Sequence, residues 1–336
     1  MAMTAAVGLA HARQAIPVVV DESRHRSAPT KLKRVHPTSS LTQSRLMGCE
    51  RTYDCSVGSI VAAQDPAATL KGMTESTSPA TDASKTIDEQ ATLALTGERT
   101  SPGIPEENYW FRRHEVAYEY ILDAVEGKDV LEAGSGEGYG ASMLSTRAAG
   151  VVCVDYDSSA VEHTRSRYPQ LTVHQGNLID LPLDDESVDV VVNFQVIEHL
   201  WDQPLFIREC ARVLRPGGRL FISTPNRITF SPGRDTPLNP FHTRELNALE
   251  LTELLVENGF EVPEMLGVHH GDALLGLDAK WDGSIIDAQI NRALAGEPWP
   301  ASLTADVAGV TTADFAIRPG DVDASLDLLA LTTRGS

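Results

Sequence analysis

From residue 107 onward, apolar residues fall in two alternating rhythms. Residues 107–125 place Tyr109, Trp110, Phe111, Val116, Ala117, Tyr120, Ile121 and Ala124 close to helical spacing. Short apolar runs with helical stretches between them then follow. The pattern predicts strands at 129–133, 150–155 and 171–175, with helices at 140–147 and 158–167. Further strands are expected at 188–194, 219–223 and 261–268, with helices at 203–214 and 245–258. Pro216-Gly217-Gly218 closes the first of these helices, and residues 326–332 form a late strand that completes the sheet. Strands and helices alternating across short turns imply an α/β fold with a doubly wound, mostly parallel sheet. The runs at 188–194 and 219–223 are continuously apolar, as in strands covered on both faces.

The first 95 residues lack both rhythms. Residues 24–51 are rich in Arg, Lys, His, Ser and Thr, residues 62–91 in Ala, Thr, Ser and Asp, and aromatics are sparse. Such composition cannot offset chain entropy with a packed core. Residues 1–95 therefore read as a disordered or non-native N-terminal extension, with a partner-binding arm as the alternative. Residues 96–336 form the folded domain, and 272–321 are an insertion between its last two strands.

Charge and cysteine usage narrow the function classes. The chain carries a formal net charge of −19, yet residues 1–95 are near balance, with ten Lys and Arg against nine Asp and Glu. The folded part thus holds the acidic excess, which argues against nucleic acid as the substrate. No apolar run approaches the roughly 20 residues that span a bilayer, so no integral membrane contact is expected. Four cysteines (Cys49, Cys55, Cys153, Cys210) lie scattered without metal-ligand spacing. That favours a reducing compartment, and a cytoplasmic protein is expected. Oligomeric state cannot be read from the chain.

The strongest chemical signal is Val130-Leu-Glu-Ala-Gly-Ser-Gly-Glu-Gly138, with glycines at 134, 136 and 138. Glycines at alternate positions between a strand and a helix suit a tight turn that holds a nucleotide-like ligand. Asp155, about twenty residues on at the end of the second strand, can accept the hydroxyls of a ribose. Glu132 and Glu137 would repel a pyrophosphate but suit a cationic sulfonium bearing an ammonium. The loop therefore favours a methyl donor over a dinucleotide.

The segments around Glu132–Gly138, Val154-Asp-Tyr-Asp157, Gly176-Asn-Leu178 and Leu214-Arg-Pro-Gly-Gly-Arg219 resemble the successive motifs of class I S-adenosylmethionine-dependent methyltransferases. The resemblance implies a Rossmann-like fold with a seven-stranded sheet and S-adenosylmethionine as cofactor. It implies that Glu132, Gly134, Ser135, Gly136 and Gly138 serve the amino-acid end of the cofactor and that Asp155 binds its ribose. Tyr156 would pack on adenine, Asn177 would meet the adenine amino group where the family often has Asp, and Leu178 and Asn193 would complete the cofactor site.

The acceptor side is expected after the fourth and fifth strands. Glu198-His199 can supply a general base, because an imidazole beside a carboxylate takes a proton near neutral pH, or His199 can only cap or pack under the cofactor. His242, in the proline-rich loop 232–245 that should fold over the site, is a second base candidate. The segment also resembles the Glu-x-x-Glu-His stretch that holds a divalent ion in ubiquinone-pathway O-methyltransferases, but Gln195 replaces one carboxylate, so no metal is expected. Asn226 and Arg227 could meet a hydroxylated substrate or only bond within their loop. His269-His270 could face the pocket or pack. Trp281 and Trp299 could stack on sugar rings or anchor the insertion.

A closer resemblance covers residue 95 to the C-terminus, through Glu107-Asn-Tyr-Trp-Phe-Arg-Arg-His114, Asn193–Asp202, Ser223–Asp235, Gly283–Gln289 and Val310–Phe315. These segments look like mycobacterial methyltransferases of 6-O-methylglucose lipopolysaccharide synthesis. That implies 6-O-methylation of glucose units in a methylglucan acceptor. Alternatives are a small phenol, quinone precursor or lipid acceptor, and a non-catalytic cofactor-binding protein.

Overall fold

The computed structural model describes residues 99–335; the expected extension 1–95 lies outside the described residues. Four segments fall where the sequence pattern puts them: β1 (Asp129–Ala133), β2 (Gly150–Asp155), β4 (Val188–Phe194) and the helix Ser158–Arg167. β3 is Thr172–Gln175, β5 Leu214–Pro225, β6 Glu264–His270, β7 Phe315–Arg318 and β8 Asp327–Thr333. The helices are α1 (Asn108–Ile121), α2 (Tyr139–Leu144), α3 (Ser158–Arg167), α4 (Gln203–Val213) and α5 (Arg227–Phe230). They continue with α6 (Ala248–Glu257), α7 (Asp272–Lys280), α8 (Ile285–Ala295) and α9 (Ala301–Ala308).

The eight strands form one sheet in the order β3-β2-β1-β4-β5-β8-β6-β7. β1 to β5 pair in parallel, while β8 runs antiparallel to both β5 and β6. The Rossmann-like α/β expectation is met with one strand more than the seven expected. The extra strand, β7, lies inside the 272–321 stretch and adds to the edge by pairing Phe315 with His270. Its four residues run from buried Phe315 through two half-buried positions to exposed Arg318, too short and too mixed to announce a strand. A second difference concerns Pro216-Gly217-Gly218, expected as a turn. The three residues bulge within β5, between Leu214, opposite Val188, and Arg219, opposite Val190.

Each face of the sheet carries its own core. One gathers Leu131, Val191, Ile222 and Leu328 under Phe206, Ile207, Leu251 and Leu255 of α4 and α6. The other gathers Val130, Val192, Phe221 and Leu329 under Ala117, Ile121 and Leu144 of α1 and α2. A third cluster packs Leu274, Ile285, Leu303 and Val307 from α7, α8 and α9 around Tyr109 of α1. Burying an aliphatic or aromatic side chain is worth about 1.5–3 kcal/mol, so these layers fix the carboxyl ends of β1, β2, β4 and β5 in place. That edge holds the site.

Candidate active site

The loop after β1 bends through three glycines with positive φ, at 88° (Gly134), 49° (Gly136) and 82° (Gly138). Packing dictates two of them. A Cβ on Gly134 would stand 2.7 Å from Val196 Cγ1, and one on Gly138 2.6 Å from Thr164 Cγ2. At Gly136 it would meet nothing closer than Arg99 Cδ at 3.8 Å, so the space above this glycine is left to a ligand. Asp155 at the end of β2 ties the loop down: its carboxylate accepts the amides of Gly136 at 2.7 Å and Asp157 at 2.9 Å.

The loop opens onto a cavity of about 600 Å³, a size that suits a cofactor together with part of an acceptor. Gly134, Ser135, Gly136, Asp155, Tyr156, Asn177 and Leu178 line it, as expected. So do Glu198, His199 and His242. Tyr156 is 77% exposed and free to cover a flat ring. Asn177 Oδ1 accepts the amide of Ile179 at 3.2 Å and keeps a second lone pair that can accept from an amino group.

Three expected cofactor residues do not line the cavity: Glu132, Gly138 and Asn193. Gly138 turns the chain into α2. Asn193 is fully buried, and its amide donates to the Ala133 carbonyl at 2.8 Å, fastening β4 to β1. Glu132 lies under the loop, where the Tyr118 hydroxyl donates to one oxygen at 2.7 Å and the other is buried without a partner. Burial raises its pKa from the ordinary 4.5 to about 8, against the opposing pull of the Tyr118 hydrogen bond. Glu137 does line the cavity but faces His163 Nε2 at 3.0 Å. The two acids read from the loop as free carboxylates are thus one that favours its proton and one with a partner. The room above Gly136, with Glu137 on the lining, fits a ligand that carries an ammonium.

The acceptor-side groups come from two segments. Val196 and the turn Ile197–His199 follow β4, and the Glu198 carbonyl accepts the Thr243 amide at 2.7 Å and its hydroxyl at 3.1 Å. Those bonds bring the 232–245 loop over the cavity, as expected. The rings of His199 and His242 meet edge to face, with centroids 4.9 Å apart, and His242 stacks on Phe230. His199 Nδ1 lies 3.0 Å from the Phe241 carbonyl, which can only accept, so Nδ1 carries the proton and Nε2 the lone pair. His242 Nδ1 lies 2.7 Å from Glu245 Oε1, and Asn239 Nδ2 donates to its Nε2 at 2.9 Å.

Other candidates separate from the site. Gln195 lines the cavity, and its amide donates to Ser223 Oγ at 3.1 Å. Asn226 is buried and bonds the carbonyls of Val322, Asp323 and Ser325, while Arg227 pairs with Glu250. His270 is held between the Tyr109 hydroxyl and Asp278, both at 2.7 Å, and neither it nor His269 lines the cavity. Trp281 donates to Asp306 at 2.8 Å and packs with Trp299 in the third core, so both anchor the insertion.

The sequence reading passed over several lining residues. Trp110 and His114 come from α1, Arg99 and Thr100 from the chain just before it, and Ile290 from α8. Burial lowers the His114 pKa to about 4, so it stays neutral at ordinary pH and is a weak proton acceptor. Arg99 pairs with Asp157 across the rim and holds that carboxyl down at about 2. The helical spacing of α1 marked Trp110 as core, and nothing in the pattern revealed that its face also borders a cavity.

Comparison with known proteins agrees with this geometry. Residues 131–222 match the family model described as a methyltransferase domain. A protein of Mycolicibacterium smegmatis named as a probable S-adenosylmethionine-dependent methyltransferase is 62% identical over 72% of this chain and 95% of its own. A Mycobacterium tuberculosis protein of the same description is also 62% identical, over 73% of this chain and 90% of its own. The crystal structure of a SAM-dependent methyltransferase from Thermotoga maritima is 19% identical and aligns with a TM-score of 0.47, over 67% of this chain and 93% of that one. With relatives 62% identical and matched over nearly their whole length, this chain belongs to the S-adenosylmethionine-dependent methyltransferases.

Proposed function

We propose that the protein is an O-methyltransferase acting on the 6-hydroxyl of glucose units in a methylglucan, the polymethylated polysaccharide of methylglucose lipopolysaccharide. The observation that carries this reading is the Glu198–His199–His242 cluster, which opens onto the same cavity as the glycine loop. Two exposed aromatic residues neighbour it in sequence. Trp201, next to the lining residue Leu200, is 92% exposed, and Phe241 at the border of exposure stands beside His242. Exposed rings beside polar groups suit a sugar, whose ring carbons stack while its hydroxyls bond. The resemblance of residues 95–336 to methylglucan methyltransferases supports the same acceptor.

When bound, S-adenosylmethionine supplies an electrophilic methyl group on a cationic sulfur. In this reading Gly134, Ser135 and Gly136 hold its amino-acid end, Asp155 its ribose, and Tyr156, Asn177 and Leu178 its adenine. Val196 packs against Gly134 and lines the same cavity. His199, with Nδ1 tied to the Phe241 carbonyl, has Nε2 available to take the proton of an acceptor hydroxyl. His242 supports it edge to face.

A lipid or phenol acceptor is the second reading, favoured by the apolar lining residues Phe194, Leu200, Phe230 and Ile290. An assay with labelled S-adenosylmethionine decides between them, using methylglucan fragments, a fatty acid and a catechol in parallel. Label in the glucan, with mass spectra placing it on the 6-position, supports the proposal. Transfer to the fatty acid or catechol alone overturns it. Full turnover in both His199→Ala and His242→Ala would remove the proton-transfer role.

A further inference from the structure

On the reading that this cavity seats a hydroxylated acceptor, we infer that the carboxamide of Gln195 binds a second hydroxyl of that acceptor, beside the one that is methylated. Gln195 has φ of 56°, in the left-handed region that a residue with a Cβ enters only at a cost. Among the described residues three other non-glycine positions have a positive φ, Glu186, Asp282 and Asp321, and all three are exposed. Gln195 is half-buried, and of the four it alone lines the cavity.

The turn after β4 accounts for the backbone of Gln195 but not for its side chain. At this residue the chain leaves β4, sets Val196 against Gly134 and enters the Ile197–His199 turn. Glycine would make the same turn without strain. A strained backbone persists where its surroundings hold it, and here β5 does so. The Gln195 amide donates to the Ser223 carbonyl at 2.7 Å, and its Nε2 donates to Ser223 Oγ at 3.1 Å. Thr224, the next residue of β5, donates to Glu198 Oε2 at 3.0 Å. The end of β5 thus braces Gln195 and Glu198 together on the cavity wall.

One N–H of the carboxamide is spent on Ser223, which leaves a second N–H and the carbonyl oxygen. That oxygen has no partner among the described residues and is not sealed within the protein. A donor and an acceptor held in one plane match a hydroxyl, which both donates and accepts. An alkyl chain in their place would leave both groups unpaired, and a site built to bond a hydroxyl rejects a ligand that lacks one. Gln195 therefore selects for acceptors with a hydroxyl next to the reacting oxygen.

Initial-rate kinetics and calorimetry on Gln195→Ala and Gln195→Gly, with methylglucan fragments, a catechol and a fatty acid as acceptors, test this role. The acceptor KM should rise at least fivefold in both variants, with S-adenosylmethionine affinity within twofold of the wild type. Gln195→Gly should melt about 2–4 °C above Gln195→Ala, because glycine relieves strain that alanine keeps, so it remains a folded test where alanine does not. If glucan is methylated with the same KM in the wild type and both variants, Gln195 loses this role while the acceptor reading stands. If the catechol alone is methylated and its KM rises in the variants, the glucan reading fails while Gln195 keeps its role. A tenfold loss of S-adenosylmethionine affinity with the acceptor KM unmoved would put the carboxamide on the donor and overturn its assignment to the acceptor. Transfer to the fatty acid alone, or to none of the three, overturns both readings.

Discussion

At Gly134 the backbone has φ of 88°, and a Cβ would collide with Val196 at 2.7 Å. Gly134→Val should therefore abolish S-adenosylmethionine binding measured by calorimetry, through backbone strain and through displacement of Val196. Asp155→Ala should weaken binding at least tenfold, because the carboxylate that clamps the Gly136 and Asp157 amides is the one proposed to hold the ribose. Glu132 makes a pH-dependent prediction. Its carboxyl titrates near 8 in the fold against 4.5 in the open chain, so the folded state holds the proton more tightly. The stability this adds is fully present below about pH 4.5 and is lost as pH rises through 8. Thermal scans of ligand-free protein should show Tm falling between pH 5 and 8.5 more steeply in the wild type than in Glu132→Gln. The loop and Asp155 were legible because they are local: a glycine repeat and an acid at a fixed interval carry their meaning within thirty residues. Glu132 was misread as a free carboxylate because its environment, the Tyr118 hydroxyl and a dry pocket, is tertiary.

Elements follow the same division between local and distant causes. β1, β2, β4 and α3 match the sequence reading to the residue, since each is a short apolar or capped run bounded by clear breakers; α3, for example, starts where Asp157 accepts the Ser159 amide at 2.8 Å. β7 was invisible because its pairing with β6, not its composition, makes it a strand. α1 shows how an amphipathic pattern understates an element. Besides its apolar face it carries Arg113, buried and bidentate to Asp327 at 2.6 and 2.7 Å, which pins the helix to the start of β8. Removing one partner of a buried pair leaves an uncompensated charge, at a cost of about 3–5 kcal/mol. Arg113→Leu should lower the denaturant midpoint accordingly, and Arg113→Leu with Asp327→Leu should recover part of the loss.

Across the whole described domain, the insertion joins the site instead of hanging from it. Ile290 of α8 lines the cavity and packs with Leu238 and Phe230, next to the loop that carries His242. The sequence left the insertion's tryptophans open between stacking on a sugar and anchoring the insertion; they anchor it, and Ile290 lines the cavity instead. Ile290→Asp should raise the acceptor KM at least fivefold while leaving S-adenosylmethionine affinity within twofold, in initial-rate and calorimetric measurements. A change confined to the donor would show that α8 only braces the fold. Among the described residues no helix is long and apolar enough to cross a membrane.

The contact between Gly134 and Val196 has a historical consequence. The two positions belong to different segments, one proposed to serve the donor and the other leading into the cluster proposed to serve the acceptor, and they share a single side chain's width of space. Growth on either side consumes room on the other. Substitutions at 134 and 196 should therefore be constrained together as the enzyme diverges. Adaptation to a new acceptor through residue 196 will show up first as a change in how well the donor is held.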